Sequence, residues 1–208
     1  MKKVNLKLMI ALISGSLIMA SCENNSKPEN DTHHHEEGTE HDHSSHEHGS
    51  TDEDRNVSAN TGEMKGDLSF VLSDYFALNE SLVQDDAATA AEASEKLVAS
   101  LKGFTGSGLS EDEQKEVDEI MESALENAEH ISENAGEISH QREHLVSLST
   151  DIKDLIAIIG TSQKLYEDFC PMANDNNGAI WISNKEAISN PYMGTKMPTC
   201  GKVNRIIN

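Results

Sequence analysis

Hydrophobic positions along the chain fall into three regimes. A short apolar run, LMIALISGSLIMA, follows the cationic start formed by Lys2, Lys3 and Lys7. From Cys22 to about Met64 large apolar side chains almost vanish. From about Gly66 they return at helical spacing. Leu68, Val71, Leu72, Tyr75, Phe76, Leu78, Leu82 and Val83 mark the first helix. Asp85 or Asp86 caps a second, DAATAAEASEKLVASLK, which stops at Gly103 and whose alanines suit close helix approach. Ser110 and Glu113 form a capping box for a third. Its Val117, Ile120, Met121, Ala124, Leu125, Ala128 and Ile131 share one side, with acidic residues on the other. The stretch Asn134-Ala135-Gly136-Glu137 reads as a turn capping a fourth helix, the alternative being one continuous kinked helix. That fourth helix carries Ile138, Leu145, Leu148, Ile152, Leu155, Ile156 and Ile159 and ends at Gly160. Beyond it the period fails: NDNNG is a tight turn, AIWIS a short strand and SNPYMG another turn. The pattern predicts a mainly α fold, an antiparallel bundle of three to four helices with a loop-rich C-terminal segment carrying short strands.

Charge and the first residues change the picture outside the bundle. The 208 residues carry a formal net charge of -21, which argues against nucleic acid as a partner. The cationic start and apolar run are a secretory signal, too short and wrongly flanked for a transmembrane anchor. Met19-Ala20-Ser21-Cys22 resembles a bacterial lipobox, which implies cleavage before Cys22 and lipid on its sulfur; the alternative is a plain secreted protein. The expected organisation is a lipoprotein signal peptide over residues 1–21, a disordered acidic tether over 22–65 and a helical domain over 66–208. The expected location is the cell envelope, lipid-anchored, periplasm-facing or in the outer membrane. Thiols oxidise readily there.

Candidate chemistry lies in three places. Seven of the ten histidines crowd the tether: His33, His34, His35, His41, His43, His46 and His48. Imidazoles on a flexible acidic segment collect Cu(II) or Zn(II) loosely, and a solvating linker is the bland alternative. On the fourth helix His140 and His144 stand four apart and can chelate one ion, or else pack against the partner helix; His130 sits at the edge of the third. Arg142 between them calls for a carboxylate partner.

Cys170 and Met172 open the C-terminal segment, and Met197 and Cys200 close it. Thiolate and thioether suit Cu(I) or another soft ion. If the segment folds back they form one sulfur-rich site, to which His140 or His144 can add a nitrogen. The rival is a Cys170–Cys200 disulfide closing a loop of about 30 residues. The residues leave both open, including a redox-sensitive pair that binds Cu(I) only when reduced. Trp181 and Tyr192 read as core anchors of this segment. No catalytic motif or triad can be assembled and Cys-x-x-Cys is missing, so no enzyme activity is expected.

The stretches HQREHLVSLS, LYEDFCPMANDNNGAIWIS and ISNPYMGTKMPTCG, with the bundle before them, resemble the domain of unknown function 3347 family of bacterial envelope proteins, over about residues 68–203. Related domains are attached to periplasmic adaptors of copper and silver efflux pumps, and YEDFCPM is similar to short Cys-Pro-Met heavy-metal modules. The resemblance implies copper handling. Pro198 stands beside Met197 where family members often carry an aliphatic residue, which stiffens the Met-x-x-Cys loop. The expected function is therefore that of an envelope lipoprotein binding copper or another thiophilic metal, for buffering or delivery to an efflux system. The expected partners are the metal ion, the membrane through the lipid and an efflux adaptor or other envelope protein. The alternative is a disulfide-stapled interaction module without a specific metal.

Overall fold

The computed structural model describes residues 64–207. The expected signal peptide, Cys22 as the expected lipid site, and the seven histidines His33 to His48 all lie outside the described residues. Four long helices run in order: α1 (Ser69–Val83), α2 (Ala87–Gly103), α3 (Glu111–Glu133) and α4 (Ile138–Ile159). Consecutive helices pack side by side, α1 on α2, α2 on α3 and α3 on α4. Among the described residues no helix is long and apolar enough to cross a membrane.

Local chemistry sets the helix ends. Asp67 accepts a hydrogen bond from the Ser69 amide at the start of α1 (2.9 Å). Of the two aspartates offered as caps for α2, Asp86 takes the role, accepting from the Thr89 amide (3.0 Å). Asp85 stands in a left-handed conformation (φ 57°), which breaks the helix before it. The Ser110–Glu113 capping box forms with both reciprocal bonds. Between α3 and α4 the chain turns rather than kinks, and Asn134 closes α3 instead of capping α4: its amide donates to the His130 carbonyl (2.7 Å).

The core is built from Leu72, Leu78 and Leu82 of α1, Leu97 and Leu101 of α2, Ile131 of α3, and Leu145, Leu148, Ile152 and Leu155 of α4. The alanines do bring α2 and α3 close, because the Ser94 hydroxyl reaches the Ala128 carbonyl on the neighbouring helix (2.7 Å). Lys65, assigned above to the tether, is tied into this body: its amide donates to the Ile159 carbonyl (2.8 Å) and its ammonium pairs with Glu113.

The C-terminal segment is more ordered than its turn-rich sequence suggests. Strands β1 (Leu165–Cys170), β2 (Ala179–Ser183) and β3 (Lys202–Ile207) form an antiparallel sheet in the order β2-β1-β3. Cys170 faces Ala179 and Asp168 faces Trp181, and a register shift separates Glu167 from Asp168 where β1 meets β3. Only AIWIS was legible as a strand. The buried residues of β1 run on almost without alternation and include both Glu167 and Asp168, so no period of two marks it.

Three hydroxyls dock the sheet on the bundle. Tyr75 of α1 and Ser149 of α4 lie 2.7 Å apart, and the Ile182 amide of β2 donates to the Tyr75 oxygen (3.3 Å). The Tyr192 hydroxyl, on the loop before β3, lies 2.6 Å from the Ile180 carbonyl and 3.2 Å from Ser149 Oγ. Trp181 packs edge-to-face against Tyr192, and both are buried. The two aromatics are thus core anchors. Tyr192→Phe keeps the ring and removes the donor to a buried carbonyl. It is expected to lower stability by about 1–3 kcal/mol, read as an earlier urea midpoint at unchanged slope. An unchanged midpoint would mean that the tyrosine docks by packing alone.

Candidate functional site

Cys170 closes β1 and Cys200 precedes β3, so the two strands that pair also bring the cysteines together. Their sulfurs lie 2.8 Å apart without a bond between them. Cys170 is fully buried and Cys200 half-buried. The two thiols are electrostatically unequal. Burial pushes the Cys170 thiol up. The Cys200 thiol, the Met172 and Ala173 amides and the Asn190 side chain outweigh it by hydrogen bonding to the sulfur, and the net shift is downward. The Cys200 thiol moves upward, because it is the hydrogen-bond partner of Cys170 and is partly desolvated. The two shifts run in opposite directions because each thiol is the other's hydrogen-bond partner.

The chain between the cysteines is fixed by a few side chains. After Pro171 a short helical turn, Ala173–Asn176, carries Asn174, Asp175 and Asn176 at positive φ, a backbone suited to asparagine and aspartate. Asn190 is fully buried. Its Oδ1 accepts from the Tyr192 and Met193 amides (2.8 and 3.0 Å), and its amide donates to the Cys200 carbonyl (2.6 Å). Arg142 has the carboxylate partner its sequence position called for. The guanidinium bonds Asp85 (2.5 Å), the Leu82 carbonyl (2.8 Å) and the Pro191 carbonyl (2.7 Å). Asp85 in turn takes the Thr195 amide (3.0 Å) and hydroxyl. Hydrogen bonds from Thr195, then Arg142, hold the Asp85 carboxyl down at about 2. Gly194 passes so close to this pair that a Cβ would strike both Asp85 and Arg142.

The methionines divide. Met172 is 47% exposed. It lines a recess of about 330 Å³ together with Met193, Tyr192, Arg142 and Val146. Met197 is half-buried, and its carbonyl accepts from the Cys200 amide (3.1 Å). Met193 was not singled out in the sequence because it lies inside the Asn-Pro-Tyr turn, away from either cysteine.

His140 and His144 meet His130 of α3. The rings of His130 and His144 are parallel, 4.5 Å between centroids, and His140 meets His144 edge-on at 4.7 Å. One ring nitrogen from each lies within 4.8 Å of the other two. Burial, then repulsion from the other two rings, pushes the His144 pKa down and favours its neutral form. The position of His130 in the last turn of α3 was the available signal, since the turn to α4 folds that end back on His140 and His144.

Residues 71–164 match the family model described as protein of unknown function (DUF3347). The match covers most of α1 and all of α2, α3 and α4. The match takes in all three clustered histidines and ends just before β1, so the four sulfur residues follow it. No curated protein matches the chain, and no solved structure matches it.

The sheet hides one more ionisable group. Asp168, two residues before Cys170 on β1, is fully buried with neither carboxylate oxygen hydrogen-bonded, opposite a Trp181 indole that also lacks a partner. Burial, reinforced by the Glu167 charge, raises its carboxyl from 3.8 to about 7. Between those values the folded protein keeps a proton that the unfolded chain has released. This group therefore makes stability fall as pH rises from about 4 to 7, by up to about 1.4 kcal/mol per unit. Asp168→Asn is expected to flatten that slope in urea unfolding across the window. Parallel pH profiles for variant and parent would contradict the assignment.

Proposed function

We propose that this protein is an envelope lipoprotein that binds copper or a similarly thiophilic ion, for buffering or for delivery to an efflux system. The observation that supports the reading most strongly is the convergence of Cys170 and Cys200, with backbone amides and Asn190 stabilising a thiolate on the buried member. Thiolates are the donors that soft monovalent copper prefers. Two thiolates sharing a tetrahedral ion at about 2.3 Å stand about 3.8 Å apart, so loading requires the sulfurs to separate by roughly 1 Å from their 2.8 Å spacing. Cys200, half-buried at the end of a loop, is the one free to move, while Cys170 is fixed in the sheet. Met172 and Met193 on the adjoining recess, or Met197 beside Cys200, are the thioethers available to complete the ion's shell. Envelope location and the lipid anchor rest on the signal and the Met19–Cys22 pattern, and low-affinity collection on the tether histidines.

The same short sulfur–sulfur spacing favours a second reading. Oxidation would join the two cysteines across the sheet edge and staple the segment, leaving an interaction module with no specific metal. Competition titration with a Cu(I) chelator, performed anaerobically on reduced protein, separates the two. The copper reading expects Cys170→Ser/Cys200→Ser to lose one equivalent of tightly held Cu(I), at least about a hundredfold in affinity for the loss of anionic ligands. Equal stoichiometry and affinity in parent and variant would leave the staple as the role of the pair.

A further inference from the structure

The α3–α4 interface carries a second donor set with different chemistry. Two neighbouring acceptors fix the protons on its rings. Asn127 donates through its amide nitrogen to the Ser123 carbonyl (2.9 Å), which turns its Oδ1 toward His144 Nδ1 (3.0 Å). A carbonyl oxygen only accepts, so His144 Nδ1 carries the proton and Nε2 the lone pair. Glu143 Oε2 lies 3.2 Å from His140 Nδ1, and an ionised carboxylate imposes the same tautomer there. An outer acceptor on one ring nitrogen, with the other left free, is the arrangement that orients histidines toward metals. His130 is exposed, His140 and His144 half-buried, so the group opens to solvent on one side.

We infer that His130, His140 and His144 form a nitrogen-donor site for one divalent zinc or copper ion, separate from the cysteine pair. Three neutral imidazoles suit Zn(II) and Cu(II), and three protein ligands with an open side leave room for water in the fourth position. Zinc–nitrogen bonds of about 2.0–2.1 Å place ligand nitrogens about 3.3 Å apart. The rings therefore draw together on loading and the stacked pair turns apart. His130, exposed at the end of α3, is the side chain with freedom to do so. The site is distinct from the sulfur pair by its position on α4. Ser139, Arg142, Glu143 and Val146 line the recess with the C-terminal segment, whereas His140 and His144 are centred roughly 120° around the helix from that face, with Glu143 between the two. An ion here adds a metal bridge to an α3–α4 interface already held by the Ser123–Asp151, Gln141–Ile131 and Asn127–His144 hydrogen bonds. This inference stands whether or not the cysteines bind copper.

The test uses the full chain with the seven tether histidines replaced by serine (His33→Ser, His34→Ser, His35→Ser, His41→Ser, His43→Ser, His46→Ser, His48→Ser), compared with the same chain also carrying His130→Ala. His130 is exposed, so the apo variant should melt as its parent does. Zinc(II) is titrated calorimetrically, and Tm is read with and without it. The parent is expected to bind one equivalent lost by the variant, with affinity at that site falling about a hundredfold and the zinc-dependent rise in Tm disappearing. Cobalt(II) in place of zinc reports the donors: the lost equivalent should show d–d bands without thiolate charge transfer. Unchanged zinc stoichiometry and affinity in His130→Ala, or a thiolate band on the lost equivalent, would overturn the site and leave the three rings as packing at a helix interface.

Discussion

The Ser149 hydroxyl is where the two parts of the fold are joined. Tyr75 from α1 and Tyr192 from the C-terminal segment both reach it, and each phenol also bonds the backbone of β2. This contact lies inside the core, where an unpaired hydroxyl or carbonyl costs about 1–3 kcal/mol. Removing any one member therefore leaves a buried polar group without its partner. With the network formed, the loop from Asn190 to Cys200 lies against α4, and Arg142 and Asp85 hold its far end. The meeting of Cys170 with Cys200 follows from that docking and from the pairing of β1 with β3, not from any local sequence motif.

The protein then offers two donor sets on different flanks of one helix, with Glu143 between them. Sulfur lies on the flank that faces the sheet, with a thiolate favoured at the buried cysteine by hydrogen bonds. Nitrogen lies on the flank that faces α3, with tautomers set by Asn127 and Glu143. Soft monovalent and borderline divalent ions prefer different donors, so in the functional account the two sets sort ions by charge and softness. The tether histidines, outside the described residues, would add a loose third set.

The bundle was legible because its signals are local. Capping at Ser110 and Glu113, the stop at Gly103 and the apolar spacing of Leu145, Leu148, Ile152 and Leu155 each act within a turn or two of helix. The convergence of the cysteines was common to both readings the sequence left open, a shared ion and a disulfide. β1 was not, because both of its faces are buried and its acidic residues are satisfied from afar or kept neutral. Glu167 is paired by Asn204 and Arg205, and Asp168 has its pKa raised by burial. The grouping of His130 with His140 and His144 depends on the packing angle of α3 on α4, which no spacing within either helix encodes. The sequence offered His140 and His144 to the sulfur site because their distance along the chain from Cys170 said nothing about which flank of α4 they occupy.

The central claim is that sulfur from both ends of the C-terminal segment holds the copper. X-ray absorption at the copper edge, on reduced full-length protein loaded with one equivalent of Cu(I), addresses it directly. The account predicts a first shell dominated by sulfur scatterers that loses sulfur when either Cys170 or Cys200 is replaced by serine. A first shell of nitrogen or oxygen alone, unchanged by either replacement, would contradict it.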